Sequence, residues 1–450
     1  MSDIIKIKKG LNIRLQGKAE KIFVKAKKAE LYAVKPTDFH GITPKLTVKP
    51  EDRVKAGTAL FYDKAHPEIK FTSPVSGTIQ MINRGERRRI LEVIIKPDEV
   101  QEYEKFKKAD PGSLSRDEII QNLLVSGLWP AIRKRPYNII AIPTEKPKAI
   151  YISAFDTAPL APDYDFLMKD FGKEFQAGID TLIKLCDGPV HLNLNGKYST
   201  PTIFTRTSGV EINKFTGPHP AGNVGVQIQR IAPINKGDVV WVVSPQDVAI
   251  IGRLFINGQY DASKIVALAG SEVINPKYYK TISGACIQSI IDKNIKSENV
   301  RIISGNVLTG SKVSSKGFLG FYDSLITVIP EGNRHEFIGW LVPGFSKFSL
   351  SRSFWSWLNR EKEYTIDTNI HGGKRALMIT GSFEKVFPMD IYPMQLLKAI
   401  IIEDIDLMEK LGIYEVVEED FALCEFVDTS KTDIQAIVRK GLDLMIKEMS

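Results

Sequence analysis

The chain has 450 residues, with 61 Lys plus Arg against 53 Asp plus Glu, 43% apolar and 25% charged residues, and three Cys. An ordinary apolar fraction over this length predicts several packed domains and excludes disorder and fibrous repeats. The longest purely apolar run, residues 239–243, falls far short of the roughly 18 residues needed to cross a bilayer, so no spanning segment is expected.

Charge is unevenly distributed: residues 1–150 carry 30 Lys/Arg and 18 Asp/Glu, whereas residues 388–450 carry 6 and 14. A basic first third fits scattered solvated lysines, or a face for phosphates, acidic lipid heads or an acidic partner. No basic helix with interleaved aromatics occurs, nor any zinc-finger or helix-turn-helix spacing, so no nucleic acid is expected as a partner. Lys6, Lys8 and Lys9 follow a short apolar alternation rather than precede a longer apolar core, which argues against a signal peptide. Cys186, Cys286 and Cys424 are too widely spaced for a C-x2-C or cluster-binding run. A reducing, cytoplasmic setting is expected.

In chain order, residues 1–100 read as all-β, from the Ile4-Lys6-Lys8 alternation through Ile22–Val24 and Lys45–Val48 to Ile90–Ile95. Val54 to Leu60, Asp63-Lys64 and Ser73 to Ile79 resemble the lipoyl/biotinyl hammerhead. In carrier domains the lysine bears the cofactor on a tight turn. Here ten residues separate Lys64 from Pro74, which points to a structural hammerhead rather than a carrier. Leu114 to Ser126 predicts a helix with Ser115-x-x-Glu118 as its capping box. Strands predicted at Ala149–Ile152, Val190–Leu194 and Val239–Val243 alternate with helical candidates such as Phe171 to Leu185, which argues for an α/β layer. Ile265–Gly270 and Arg301–Gly305 read as strands around a short helix from Ala285 to Lys293, suggesting a β-grasp unit. Pro393 to Leu411 and Lys431 to Met449 keep helical apolar spacing, the second with Ser430-x-x-Asp433 as cap signal.

Acid, base, nucleophile and cofactor-loop patterns are sparse. Thr216 to Gly225 is glycine-rich but lacks P-loop and G-x-G-x-x-G spacing, and its two prolines predict a rigid loop. His40, His66, His191, His219, His335 and His371 show no metal-ligand spacing, so no metal site and no catalytic residue is assigned. His40 could donate to a carbonyl such as a quinone's, or simply bond to backbone. Phe337, Trp340, Phe345, Phe348, Phe354, Trp355, Trp357 and Tyr364, with Lys347, Arg352 and Arg360 among them, form a segment suited equally to a core or an interface.

Several runs carry a resemblance: Lys8 to Leu11, Gly217 to Gly225, Ile234 to Trp241, Ile303 to Gly310, Phe387 to Pro393 and Gly412 to Val416. Over essentially the full length they resemble the A subunits of bacterial sodium-translocating NADH:quinone oxidoreductases. The resemblance implies a peripheral protein on the cytoplasmic face of the inner membrane, within a six-subunit complex that moves electrons from NADH to ubiquinone and exports sodium. It implies the B, C, D, E and F subunits as partners, with FAD, the NADH site and a [2Fe–2S] cluster in F and covalent FMN in B and C. No cofactor is expected on this chain, and ubiquinone is the substrate of the complex.

The implied fold is α/β multidomain, similar to the C subunit of Rnf-type complexes and the flavin-binding subunit of respiratory complex I. It would comprise a lipoyl/biotinyl-like barrel-sandwich domain (1–100), a Rossmann-like α/β domain (101–255), a soluble-ligand-binding β-grasp domain (256–330), an aromatic-rich connecting segment (331–385) and a C-terminal helical domain (386–450). Where those relatives hold flavin on glycines, this chain has Gly127 to Pro136 with Trp129, Pro130 and basic side chains. Only Cys424 remains where they bind a cluster. Family A subunits are associated with quinone binding close to the membrane-embedded B subunit. In this chain the stretches 31–40 and 129–135 are the expected contacts, with Phe39 and Trp129 to stack and His40 and Arg133 to hydrogen-bond a carbonyl. The alternative is a ligand-free docking and assembly platform.

Overall fold

The computed structural model describes every residue except 1–3, 198–200, 334–338, 340, 360 and 450. Its first unit is a barrel-sandwich of two small sheets. One orders Tyr32–Val34, Ile90–Pro97, Gly77–Arg84 and Arg53–Val54; the other orders Pro44–Leu46, Ala59–Asp63 and Lys70–Thr72. Alternation buries Leu60, Phe71, Ile79, Val93 and Ile95 between them, with Phe61 stacked on Phe71 at 4.6 Å. Lys64 stands exposed on the turn after Asp63, whose buried carboxylate accepts from the N–H groups of Thr43 and Ala65.

Two stretches expected to complete an all-β first hundred residues pair elsewhere. Ile4–Lys6 runs parallel to Glu211–Thr216, and Phe23–Lys25 runs parallel to Tyr278–Ile282. Three-residue strands bury too little to stand alone and are stable as added edges of larger sheets.

The large sheet orders Ile4–Lys6, Glu211–Thr216, Val190–Asn195, Ile150–Ser153, Val240–Val242, Arg133–Arg135 and Ile139–Ile140, the first five parallel and the last two antiparallel. From Ile150–Ser153 the chain steps outward one way, then returns on the other side at Val240–Val242. That reversal is a topological switch point, where the carboxyl ends of the strands leave a crevice. The helix Arg116–Ser126 starts on the expected capping box of Ser115 and Glu118. It ends at Gly127, whose φ of +74° and position 2.3 Å from Thr72 Oγ1 (measured from where a Cβ would sit) admit only glycine. Helices Gly172–Leu185 and Pro245–Asn257 pack backbone to backbone through Gly178 and Gly252.

A third, mixed sheet orders Ser311–Val313, Val300–Ser304, Leu325–Pro330, Ser263–Ala269, Tyr278–Ile282 and Phe23–Lys25. Its expected helix shrinks to Gln288–Ile291: Ser289 and Ile290 bond back three residues, to Cys286 and Ile287, as tight turns, and Lys293 takes a left-handed φ of +57° that ends the run.

The C-terminal region is helical. The single helix expected from Pro393 to Leu411 is broken into Pro393–Ile401 and Ile405–Lys410, since Glu403 takes a φ of +57° and Asp404 caps the N–H of Leu407. Helix Ile434–Met449 buries Ile434, Val438, Leu442 and Met445. Asp433 accepts from Ala436 at its start, whereas the Ser430 hydroxyl donates to Ala376 O instead of capping.

Of the aromatic segment, Phe348 packs on Tyr364 and Phe426, while Phe345, Trp355 and Trp357 are exposed. Phe337, Trp340, Arg360 and His335 lie outside the described residues. Among the described residues no helix is long and apolar enough to cross a membrane, and no His/Cys/Asp/Glu group could hold a metal.

Candidate functional site

The four residues singled out from the sequence occupy different settings. Phe39 is buried, its ring 4.6 Å from Phe71, 5.0 Å from Phe321 and 5.8 Å from Tyr322. Arg133, at the start of its strand, lays its guanidinium 4.7 Å from the Tyr322 ring centroid and reaches Asn138 at 3.3 Å. Tyr322, fixed by a 2.7 Å bond to Pro130 O, therefore joins the two. His40 is on the surface, 3.8 Å from Glu418, with its imidazole pushed toward the neutral form by burial of its ring edge. Trp129 lines neither of the two cavities near Tyr322. It is fully buried, donates to Ala141 O at 2.7 Å and meets Trp241 edge-on, because a core indole requires a partner for its N–H.

Two cavities flank Tyr322. The first is an apolar cleft of about 400 Å³ counting its mouth, between Phe39, Phe71, Pro74, Tyr260, Leu319 and Phe321, with the largely buried Lys35 and Asp38 also lining it. Its closed part admits about one water. Phe321 forms the back wall and is clamped through its backbone: its N–H donates to Asp38 at 2.8 Å and its carbonyl accepts from the buried Lys264 Nζ at 2.7 Å. Burial pushes the Asp38 carboxyl up despite Lys35 at 3.2 Å. It also pushes the Lys264 ammonium down, against the pull of Asp247, Asp323 and Asp38.

The second cavity is polar, a crevice of about 730 Å³ counting its mouth, at the carboxyl ends of strands Ile150–Ser153 and Val240–Val242. Arg133, Asp156, Tyr164, His219, Asn306 and Glu419 are among its walls. Thr157 Oγ1 accepts from Gly222 N and shares a hydrogen bond with His219 Nδ1 at 3.1 Å, which fixes the ring's orientation in the crevice wall. Burial depresses the His219 pKa to about 4. The sign of the pH effect follows: a histidine held neutral in the fold contributes stability that is complete above its unfolded value near 6.5 and is lost as pH falls toward 4. Between pH 7 and 4.5 His219→Gln should remove about 2–3 kcal/mol of acid sensitivity, measured as the difference between wild-type and variant urea midpoints across that range. Parallel pH profiles for the two proteins would refute it.

Residues 5–98 match the family model described as the NqrA N-terminal barrel-sandwich hybrid domain, residues 114–260 that of the NqrA second alpha/beta domain, and residues 265–315 that of the NQRA C-terminal domain. The A subunit of the Na(+)-translocating NADH-quinone reductase of Yersinia pestis bv. Antiqua is 38% identical over 99% of this chain and all of its own length. That of Hahella chejuensis is 36% identical over 99% and 100%, and that of Rhodopirellula baltica 36% over 99% and 98%. The chain belongs to the family of A subunits of Na(+)-translocating NADH-quinone reductases. Runs that carry this resemblance meet in space: Leu11 N bonds to His219 O at 2.8 Å, and a Cβ on Gly10 would lie 2.1 Å from that same oxygen. Asn306, within another such run, folds its loop over the crevice by accepting from Leu308 and Thr309.

Residue-level reasoning missed Phe321, Tyr322, Asp156 and Tyr164. The available signals were faint: an aromatic pair between Gly320 and Asp323, and Phe155-Asp156 directly after a strand, where switch-point ligands sit.

Proposed function

We propose that this chain is the peripheral A subunit of a sodium-translocating NADH:ubiquinone reductase, acting on the cytoplasmic face with the B, C, D, E and F subunits, carrying no flavin or iron–sulfur cluster, and furnishing part of a quinone site. The observation that supports the quinone role is the aromatic cleft in which Phe39 is bracketed by Phe71 and Phe321. A quinone ring needs a flat apolar partner and a donor for its carbonyl. Phe39 supplies the first and Lys35, which lines the cleft beside Asp38, the second, with His40 directly after Phe39 in the chain. Because the closed part holds about one water, a ring enters only when Phe39 swings outward, and a membrane-embedded partner would complete the mouth. Arg133 acts from behind by holding Tyr322, and Trp129, bonded to Ala141 in the core, does not touch the ring.

The test is titration of the purified chain and of the assembled complex with a short-tail ubiquinone. Phe39→Ala should weaken binding about tenfold, the worth of one stacked aromatic contact, and Phe39→Leu, which keeps the cleft filled, should weaken it less. Trp129→Phe should leave affinity unchanged. Undiminished affinity in Phe39→Ala refutes the reading.

The second reading, a ligand-free docking platform, draws on the exposed apolar side chains Leu341, Phe345, Trp355, Leu358, Met378 and Ile379. It predicts no quinone binding by the isolated chain and quinone affinity in the complex that ignores Phe39.

A further inference from the structure

In doubly wound sheets the switch-point crevice takes nucleotides by seating a phosphate on the first turn of the neighbouring helix and a ribose diol on a carboxylate. Here the neighbouring helix is Val224–Ile231. Its first turn already has its anions: Asp420 packs so closely that a Cβ on Gly225 would lie 2.6 Å from Asp420 Oδ1 and 2.4 Å from Arg135 Nη1. Asn223 Nδ2 donates to Glu419 O at 3.3 Å, and Asp420 and Glu419 both pair with Arg135. The C-terminal helical region thus fills the place a phosphate would need, with two carboxylates that would repel one.

The rest of the crevice stays open and chemically two-ended. Asp156, three residues beyond strand Ile150–Ser153, accepts from Ala158 N at 2.8 Å and has no cation beside it among the described residues; Glu419, whose Oε1 is held by Arg135, shares its wall. Both call for O–H or N–H donors. At the other side Arg133 forms no ion pair among the described residues, and its guanidinium, stacked on Tyr322, can donate hydrogen bonds to a carbonyl or ring nitrogen. Phe155, Val243 and Pro245 supply apolar wall between them.

We propose that this crevice binds a nucleoside, with its ribose diol on Asp156 and Glu419 and its base edge toward Arg133, and that it discriminates against the 5′-phosphorylated form. The site is separate from the quinone cleft and does not depend on that reading. It is closed to phosphate by the chain's own acidic pair.

The test is calorimetric titration of the full chain with adenosine, guanosine and uridine and with their 5′-monophosphates. At least one nucleoside should bind saturably, and its monophosphate at least about tenfold more weakly, the effect of placing like charges together. Asp156→Asn keeps the acceptor for Ala158 but loses the carboxylate, and should weaken the nucleoside about tenfold. Thr309→Trp, an exposed substitution at the mouth that gives up only the bond from Asn306 Nδ2 to Thr309 Oγ1, should block it while lowering the thermal midpoint by no more than Thr309→Ala does. Equal or tighter binding of the monophosphate, no saturable nucleoside binding up to about 10 mM, or binding indifferent to both variants would each overturn the proposal.

Discussion

Arg135→Met should free the C-terminal helices from the α/β layer, at a cost of about 3–5 kcal/mol near pH 7, the usual penalty for removing one partner of a buried ion pair. Arg135 is almost wholly buried and is held by Asp420, itself buried, at 3.2 Å and by Glu419. Methionine keeps the aliphatic stem but stops short of the guanidinium and carries no charge, so Asp420 and Glu419 would lose their shared cation, Asp420 against the first turn of helix Val224–Ile231 with its Oδ1 already lacking a hydrogen-bond partner. The helix end compensates only in part, since its attraction for an anion is worth about 1–2 kcal/mol at best.

The pH dependence distinguishes this cause from lost packing. Even with Arg135 in place, burial pushes the Asp420 carboxyl up to about 6. A carboxyl raised in the fold contributes stability that is complete below its unfolded value near 4 and is lost as pH rises to about 6. Without the guanidinium that upper limit moves higher, so the variant's deficit should be largest above pH 7 and shrink toward pH 5. Opening free energies from hydrogen exchange in Pro393–Ile401 and Ile434–Met449 measure it directly. A deficit under about 1 kcal/mol, or one equal at pH 5 and 7.5, would refute the electrostatic account.

That ion pair also marks where sequence reading stops. The helix Arg116–Ser126 was legible because its capping box is local, three residues from Ser115 to Glu118. Strands Ile150–Ser153 and Val240–Val242 were legible because burial on both faces leaves continuous apolar runs, whereas the parallel strand Glu211–Thr216, half exposed and mostly polar, offers no such run. Arg135 meets Asp420 across 285 positions, and nothing local in either stretch announces the contact. Glu403 reads as one more helical residue, yet its left-handed φ and the Asp404 cap break the helix. Trp129 reads as a binding aromatic because composition cannot tell an indole with a buried partner from one without. Phe39 and Arg133 stand out in the sequence for separate reasons, and only the fold reveals that Tyr322, which nothing local marks, stands between them.

Gly252→Ala gives the sharpest contest between local and tertiary forces. Helix propensity alone favours alanine by about 1 kcal/mol in a helix interior. But a Cβ on Gly252 would lie 1.8 Å from Glu174 O and 2.8 Å from Gly178 N, and one on Gly178 would lie 2.0 Å from Val248 O. These neighbours are backbone atoms, which cannot rotate aside, so helices Gly172–Leu185 and Pro245–Asn257 must part by roughly 1 Å or more to regain an ordinary contact near 3.5 Å. Parting them loosens Phe175, Ile179, Leu182, Ile251 and Leu254, all fully buried. Overpacking of this kind costs about 1–3 kcal/mol and more where backbone must move; against the propensity gain, a net loss of about 3 kcal/mol is expected. Gly172→Ala is the control, since its Cβ would meet only Ile203 Cγ2 at 3.7 Å, and it should be neutral or slightly stabilising. Thermal midpoints of the two variants test the argument. Because Pro245 begins the displaced helix and lines the polar crevice, Gly252→Ala should also weaken any ligand held there, whereas Gly172→Ala should not. A Gly252→Ala protein as stable as its parent would mean that the two helices slide apart at almost no cost, and that the close glycine contact does not position the crevice.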